Sequence, residues 1–298
     1  MSEKPTFKYI DPMVDFGFKK IFKESGKKQL IIRPLNAIFG LDIADIDIRE
    51  SEQLGLTEQE RKVTYDMHCD TKDGHSFIIE VQLADQTYFM ERAIFYTART
   101  ISQKGESGKW NYGFKPVFFL GLLNFDIRHL EPEKANPEQF IHKFSLREDE
   151  THEQMSRALR FAFMEVARFN KAKEECETFE DRFLWMMKNL PTFVEKPELW
   201  DDPYFNEFME QAEFASMSFE EQEAYIASMK QKWDYDNSIE FAEQKGLEKG
   251  RKEGREEGRK EGKAEQRMEN ARSLKSLGVD INTIAKALGL TAKEVQAL

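Results

Sequence analysis

The stretch that most constrains this chain runs from Tyr65 to Gln82, YDMHCDTKDGHSFIIEVQ. Two alternating runs meet at Asp73-Gly74, a dipeptide suited to the left-handed backbone of a tight reversal. The first run places Val63, Tyr65, Met67 and Cys69 on one side and Asp66, His68 and Asp70 on the other. In the second, His75 to Leu83, Ile79 and Val81 turn inward, while Glu80 and Gln82, two apart, share the opposite face. A helical spacing of apolar residues follows over 85–103. Then comes KPVFFLGLLNF, Lys115 to Phe125, short and continuously apolar, as a strand buried on both faces should be. Hairpin, crossover helix and buried strand together predict an α/β core, a mixed sheet flanked by helices.

Upstream, DFGFKKIF (Asp15 to Phe22) puts Phe18, Ile21 and Phe22 on one helical face. A second helix is expected over Gln29 to Phe39, with Pro34 kinking it or marking its start. Ile43, Ile46 and Ile48 add strand-like alternation. From about 131 to 242 the pattern reads as almost entirely helical and acidic, with amphipathic stretches at 151–170, 177–190, 203–216 and 219–242. Ser218 and Glu221 match a capping box, and the Phe, Trp and Met residues sit at core-packing spacing. Glycine then recurs at 246, 250, 254, 258 and 262 within a tract, 243–269, of nine basic and eight acidic residues. That balance describes a helical spacer, not a polybasic arm; close packing of glycine stripes between copies is the other reading. Asp280, Gly289, Thr291 and Glu294 mark the caps of two short helices laid out as a helix-turn-helix, with Ile284, Ala285, Leu288, Leu290, Val295 and Leu298 inward. The expected domains are 1–150 for the α/β core, 151–242 for a helical region packing on or extending it, 243–269 for the spacer and 270–298 for the terminal module.

Composition narrows the function classes. With 44 basic and 55 acidic residues the net charge is −11, which argues against affinity built on a blanket of positive charge. Two cysteines, Cys69 and Cys176, cannot form a disulfide framework or a four-cysteine zinc site. The longest apolar run, Val117 to Leu123, is far below the roughly 20 residues that cross a bilayer, and the N-terminus lacks the apolar core of a signal peptide. A cytoplasmic protein with no membrane partner is expected.

One cluster carries chemistry. Asp66, His68, Asp70, Glu80 and Gln82 fall on two adjacent strands. A divalent ion such as Mg²⁺ needs one or two carboxylates and otherwise waters and phosphate oxygens. Two carboxylates on a covered sheet face without an evident Lys or Arg call for such a cation. Turn length supplies the geometric condition. A two-residue turn at Asp73-Gly74 sets Glu80 opposite Met67, whereas an odd-length connection or a bulge sets Asp66 opposite Glu80. The odd-length connection or bulge is the expectation.

These residues, taken with the rest of the N-terminal half, resemble the recombination-promoting nuclease/putative transposase family, a bacterial branch of the PD-(D/E)XK phosphodiesterase fold. The resemblance rests on DFGFKKIF, on the strand–turn–strand ending in E-x-Q, on Gln86, Arg92 and Tyr96, on KPVFFLGLLNF, and on the glycine-punctuated tail before IAKALGLTAKEV. It implies a metal-dependent DNA endonuclease that uses Mg²⁺ or Mn²⁺. The metal carboxylates fall on Asp66 and Glu80, with Gln82 where the wider superfamily has lysine. Asp70 competes for the first role, and His68 shares the same face. Asp15 and Lys19 match the first-helix motif, assisting the site or holding the fold. With the motif lysine absent, Arg92 is the candidate for the missing positive charge. The resemblance also implies a role in recombination or transposition, with the helical region or tail supporting a homodimer or larger homo-oligomer. A catalytically weak or inactive nucleic-acid-binding or assembly protein keeping the same fold is the competing reading, and a purely protein-interacting module a third.

Overall fold

The computed structural model describes residues 7–50, 52–53, 63–86, 88–105, 111–127 and 136–298. Contacts divide the chain into two compact units, Met1–Lys232 and Trp233–Leu298. The first is built on a six-stranded mixed sheet, ordered β1-β4-β5-β6-β8-β7. Its strands are β1 (Ile46–Ile48), β4 (Met67–Thr71), β5 (Ser76–Gln82), β6 (Val117–Leu123), β7 (Ile141–Arg147) and β8 (Gln154–Glu165). A separate two-stranded ladder pairs β2 (Glu52–Gln53) with β3 (Val63–Thr64). The helices α1 (Asp15–Phe18), α2 (Gln29–Phe39) and α3 (Phe89–Gln103) occupy the positions the sequence predicts, and a π-helical turn, Lys19–Glu24, extends α1. The β5–α3–β6 segment is the expected crossover between parallel strands.

The expected helix over 151–170 is instead the long strand β8, and the preceding stretch forms β7. Arg157, Ala158, Leu159 and Met164 are good helix formers, which hides the alternation of Leu159, Phe161 and Phe163. Parallel pairing of β8 with β6 and antiparallel pairing with β7 decide the matter, as tertiary context overrides a weak local preference. Residue 150, the expected end of the α/β domain, falls in the connection between these two strands.

Pro34 neither starts nor ends α2. A proline inside a helix leaves the carbonyl four residues earlier without its N–H donor. That carbonyl belongs to Leu30, and the buried Tyr204 hydroxyl donates to it at 2.8 Å. A side chain 174 positions from Leu30 in the chain thereby replaces the hydrogen bond that proline removes.

The sheet separates two cores. On one face Met67, Cys69, Phe77, Ile79, Leu120, Leu122, Ala162 and Met164 pack with the N-terminal helices and with the helices after β8. On the other, Ile78, Phe119, Leu123 and Phe163 meet α3 through Phe89 and Ala93. Tyr65 belongs to this second core, contrary to the expectation that it shares a face with Met67 and Cys69. Pairing is interrupted at Tyr65 and Asp66 between β3 and β4, and the alternation breaks there. The side chain of Val63 lies outside the described residues.

Gly121 sits opposite Glu80 in the β5–β6 pair. A Cβ there would lie 2.7 Å from a Phe163 ring carbon and 3.3 Å from Phe89. Its bare backbone therefore lets the first turn of α3 press onto the sheet beside β5. Gly121→Ala is expected to destabilise the protein by roughly 1–3 kcal/mol, seen as a lower melting temperature with an unchanged far-ultraviolet circular dichroism spectrum.

After β8 come α4 (Phe179–Asn189), α5 (Pro203–Gln211) and α6 (Phe219–Ser276). Their Phe183, Met186, Phe205, Phe208 and Tyr225 fill the first core, as their spacing predicts. Ser218 and Glu221 form the expected capping box, each accepting from the other's backbone N–H. All five tail glycines lie within α6, and a Cβ at each would meet open space. In the second unit, α7 (Ile281–Leu288) is capped by Asp280 and ended by Gly289 at φ 63°. The capping box of Thr291 and Glu294 opens α8 (Ala292–Ala297). The six residues expected inward all join a small cluster with Ala271 and Leu274.

Candidate active site

The hairpin settles the parity of the acidic residues. Thr71 N–H donates to the His75 carbonyl at 2.9 Å, which closes a three-residue connection, Lys72-Asp73-Gly74, with Gly74 at φ 90°. Asp70 then pairs with Ser76 and Met67 with Ile79, so continuing the register places Asp66 opposite Glu80. This is the odd-length connection the carboxylate pairing requires.

Where the ladder stops, side chains replace backbone partners. The Val81 N–H donates to Asp66 Oδ2 at 2.7 Å, and the Asp66 N–H donates to Glu80 Oε1 at 3.3 Å. Gln82 Nε2 donates to Glu80 Oε2 at 3.2 Å, while Arg92 donates one N–H to Gln82 Oε1 at 2.6 Å and another to Gln86 Oε1. A continuous relay thus runs from Gln86 through Arg92, Gln82 and Glu80 to Asp66. Arg92 and Tyr96 arrive with α3, which the crossover sets against β5 and β6, and Gln86 lies just before the helix.

Electrostatics single out the acidic pair. Glu80 is 4% exposed. Burial first, and then the negative charge of Asp66, push its carboxyl up to about 8. Asp66 is also raised, chiefly by burial, with Asp15 adding to the shift and the Val81 N–H, Lys19 and Arg92 opposing it. The Tyr96 phenol is raised by burial and by Glu80. Asp15 and Lys19, an ion pair at 2.8 Å, therefore lie within electrostatic reach of Asp66.

Two expected candidates make other contacts, His68 from the same sheet face as Glu80. Asp70 accepts from Arg49 Nε at 2.9 Å and from the Ser76 hydroxyl, near the turn end of the hairpin. His68 is buried opposite Ile78 with its ring against Tyr65, and burial lowers its pKa. A cavity of about 400 Å³ lined by Ile43, Asp45, Thr71, Asp73 and His75 also lies at that end and holds neither Asp66 nor Glu80. Among the described residues, no group of three or more His, Cys, Asp and Glu is placed to hold a metal ion. Two carboxylates nevertheless suit an ion that takes its other ligands from water and phosphate. Glu80 accepts hydrogen bonds from two neutral amides, and the charge of Arg92 favours its ionised form.

Sequence spacing missed two features. One is the Val81 amide as a partner of Asp66, which depends on the ladder ending at that point. The other is a buried ionic cluster of Glu165, His142 and Arg168, far apart from the hairpin in sequence. No local pattern announces either.

In comparison with known proteins, a family model described as PD-(D/E)XK nuclease family transposase matches residues 12–242. No curated protein and no solved structure matches the chain.

Proposed function

Since the chain belongs to the PD-(D/E)XK nuclease family transposases, we propose that it is a metal-dependent DNA endonuclease acting in recombination or transposition. The observation that carries this reading is the facing pair Asp66 and Glu80, buried enough that Glu80 rises to about 8. That pair would hold Mg²⁺ or Mn²⁺. When bound, the ion lowers the pKa of its water and stabilises charge on the phosphate.

The chain's own groups do the rest. The Val81 N–H fixes one Asp66 oxygen, and Gln82 orients Glu80 through its amide nitrogen while its amide oxygen holds Arg92. Arg92 supplies the positive charge that lysine at position 82 would supply elsewhere in the superfamily. Lys19 and Asp15 adjust the field at Asp66 in opposite senses. No helix among the described residues is long and apolar enough to cross a membrane.

Supercoiled plasmid incubated with Mg²⁺ or Mn²⁺ tests the reading. Wild type is expected to nick it, and Asp66→Asn to lose at least about a hundred-fold in rate, the scale of losing a charge-stabilising group. Equal nicking by both preparations would assign the activity to a contaminant. The neutral Gln82 at the lysine position favours a second reading, an inactive DNA-binding protein, and retention of DNA without metal-dependent nicking would select it.

A further inference from the structure

The outward side of α3 is unusual for this chain. One third of all residues are charged, yet of the exposed α3 positions 91, 94, 95, 98, 102 and 103 only Glu91 is. Large apolar groups stand in solvent instead: Tyr88 at the helix N-cap is 71% exposed, Ile94 56% and Phe95 52%. Tyr88 and Phe95 are seven residues apart, two helical turns and about 10 Å of rise, so they share one edge. Arg92, four residues after Tyr88, lies on that edge between them.

This edge is continuous with the carboxylate site. The Arg92 N–H donates to the Tyr88 carbonyl at 3.0 Å. The Arg92 guanidinium lies 6.0 Å from the Tyr96 ring, and the Phe95 ring is 6.4 Å from the same ring. Arg92 in turn holds Gln82. The guanidinium itself turns inward, 5.3 Å from the buried Phe89 ring, and the exposed rings on the same helix edge form a surface on which bases stack. In a closed duplex the base faces are already covered by their neighbours. A chain with a net charge of −11 also gains most from a contact that does not depend on phosphate attraction.

We propose that Tyr88 and Phe95 are a stacking edge for unpaired bases, so that the preferred substrate is DNA with unpaired nucleotides beside the cleaved bond. The proposal rests on the nuclease reading and deepens it. A second copy of the chain covering the same apolar edge is the alternative that the test must separate.

Fluorescence anisotropy with a labelled closed duplex, the same duplex carrying a central unpaired loop, and a single strand provides the test, with Ca²⁺ replacing Mg²⁺. Wild type is expected to bind the looped duplex and the single strand at least about ten-fold more tightly than the closed duplex. The double variant Tyr88→Ala/Phe95→Ala is expected to lose that preference, while Tyr88→Phe/Phe95→Tyr keeps it. Melting curves confirm that both variants fold. Equal affinity for all three DNAs, or an unchanged preference in the alanine variant, overturns the proposal. So does an alanine variant that turns a dimer into a monomer in sedimentation while DNA affinity stays constant. Metal-dependent nicking without any preference for unpaired DNA sinks the stacking edge alone. A ring-dependent preference without metal-dependent nicking supports the edge and sinks the nuclease reading.

Discussion

Glu80→Gln is expected to raise the stability of the metal-free protein at pH 8 while removing metal-dependent cleavage. The free glutamate titrates near 4.5, and in the folded chain this carboxyl rises to about 8 under burial and the charge of Asp66. Between those two values the folded state holds the proton more tightly than the unfolded state does. Stability contributed by the protonated form is therefore complete below about pH 4.5, declines as pH rises, and is lost above about 8. Glutamine is neutral throughout, so the variant lacks this decline. The difference at pH 8 is on the order of 4 kcal/mol, read from denaturant melts of both proteins across the pH window. Adding Mg²⁺ or Mn²⁺ at pH 8 is expected to stabilise wild type and to do little for the variant. A wild-type curve that runs parallel to the variant from pH 5 to 8 would show that the acids do not repel each other, and the need for a cation would go with it.

Glu165→Ala is expected to cost roughly 3–5 kcal/mol, the scale of breaking a buried ion pair from one side. The Glu165 side chain is 1% exposed and accepts from the Ile127 N–H at 2.6 Å, from His142 Nε2 at 2.9 Å and from Arg168 Nε at 2.8 Å. Arg168 also donates to the Pro137 and Gln139 carbonyls, so one carboxylate ties the ends of β7 and β8 to the chain leaving β6. Burial alone would raise this acid, but hydrogen bonds from His142, the Ile127 amide and Arg168 outweigh it and hold the pKa below its ordinary value. Its contribution is thus present above the unfolded pKa and is lost as pH falls through the folded one. The alanine variant is expected to melt lower at neutral pH and to show a flatter acid limb. Glu165→Gln, which keeps an acceptor for the Ile127 amide, is expected to fall between. A loss below about 1 kcal/mol would mean that solvent reaches the cluster and screens it.

The site and the fold differ in how far local pattern carries them. Alternation along 67–70 and 76–79, together with an odd-length turn, aims Asp66 toward Glu80 by parity, and the Asp66 N–H to Glu80 contact carries the pairing past the last ladder pair. The caps at Ser218, Asp280 and Thr291 and the all-buried strand β6 are equally short-range, each set by groups a few residues apart.

Other features depend on partners distant in sequence. Residues 154–165 favour a helix by composition and become a strand because β6 and β7 flank them. Pro34 stays inside α2 because Tyr204 reaches the Leu30 carbonyl. Tyr65 changes sides where pairing lapses, and Arg92 reaches Gln82 because Gly121 admits Phe89. Parity, turn length and end caps were decided by the order of the amino acids alone, since their forces act between near neighbours. Which strand lies beside β6 and which hydroxyl serves the Leu30 carbonyl were decided only on folding, where contacts among distant segments outweigh local preferences of about 1 kcal/mol or less for most residues and about 3 kcal/mol for proline.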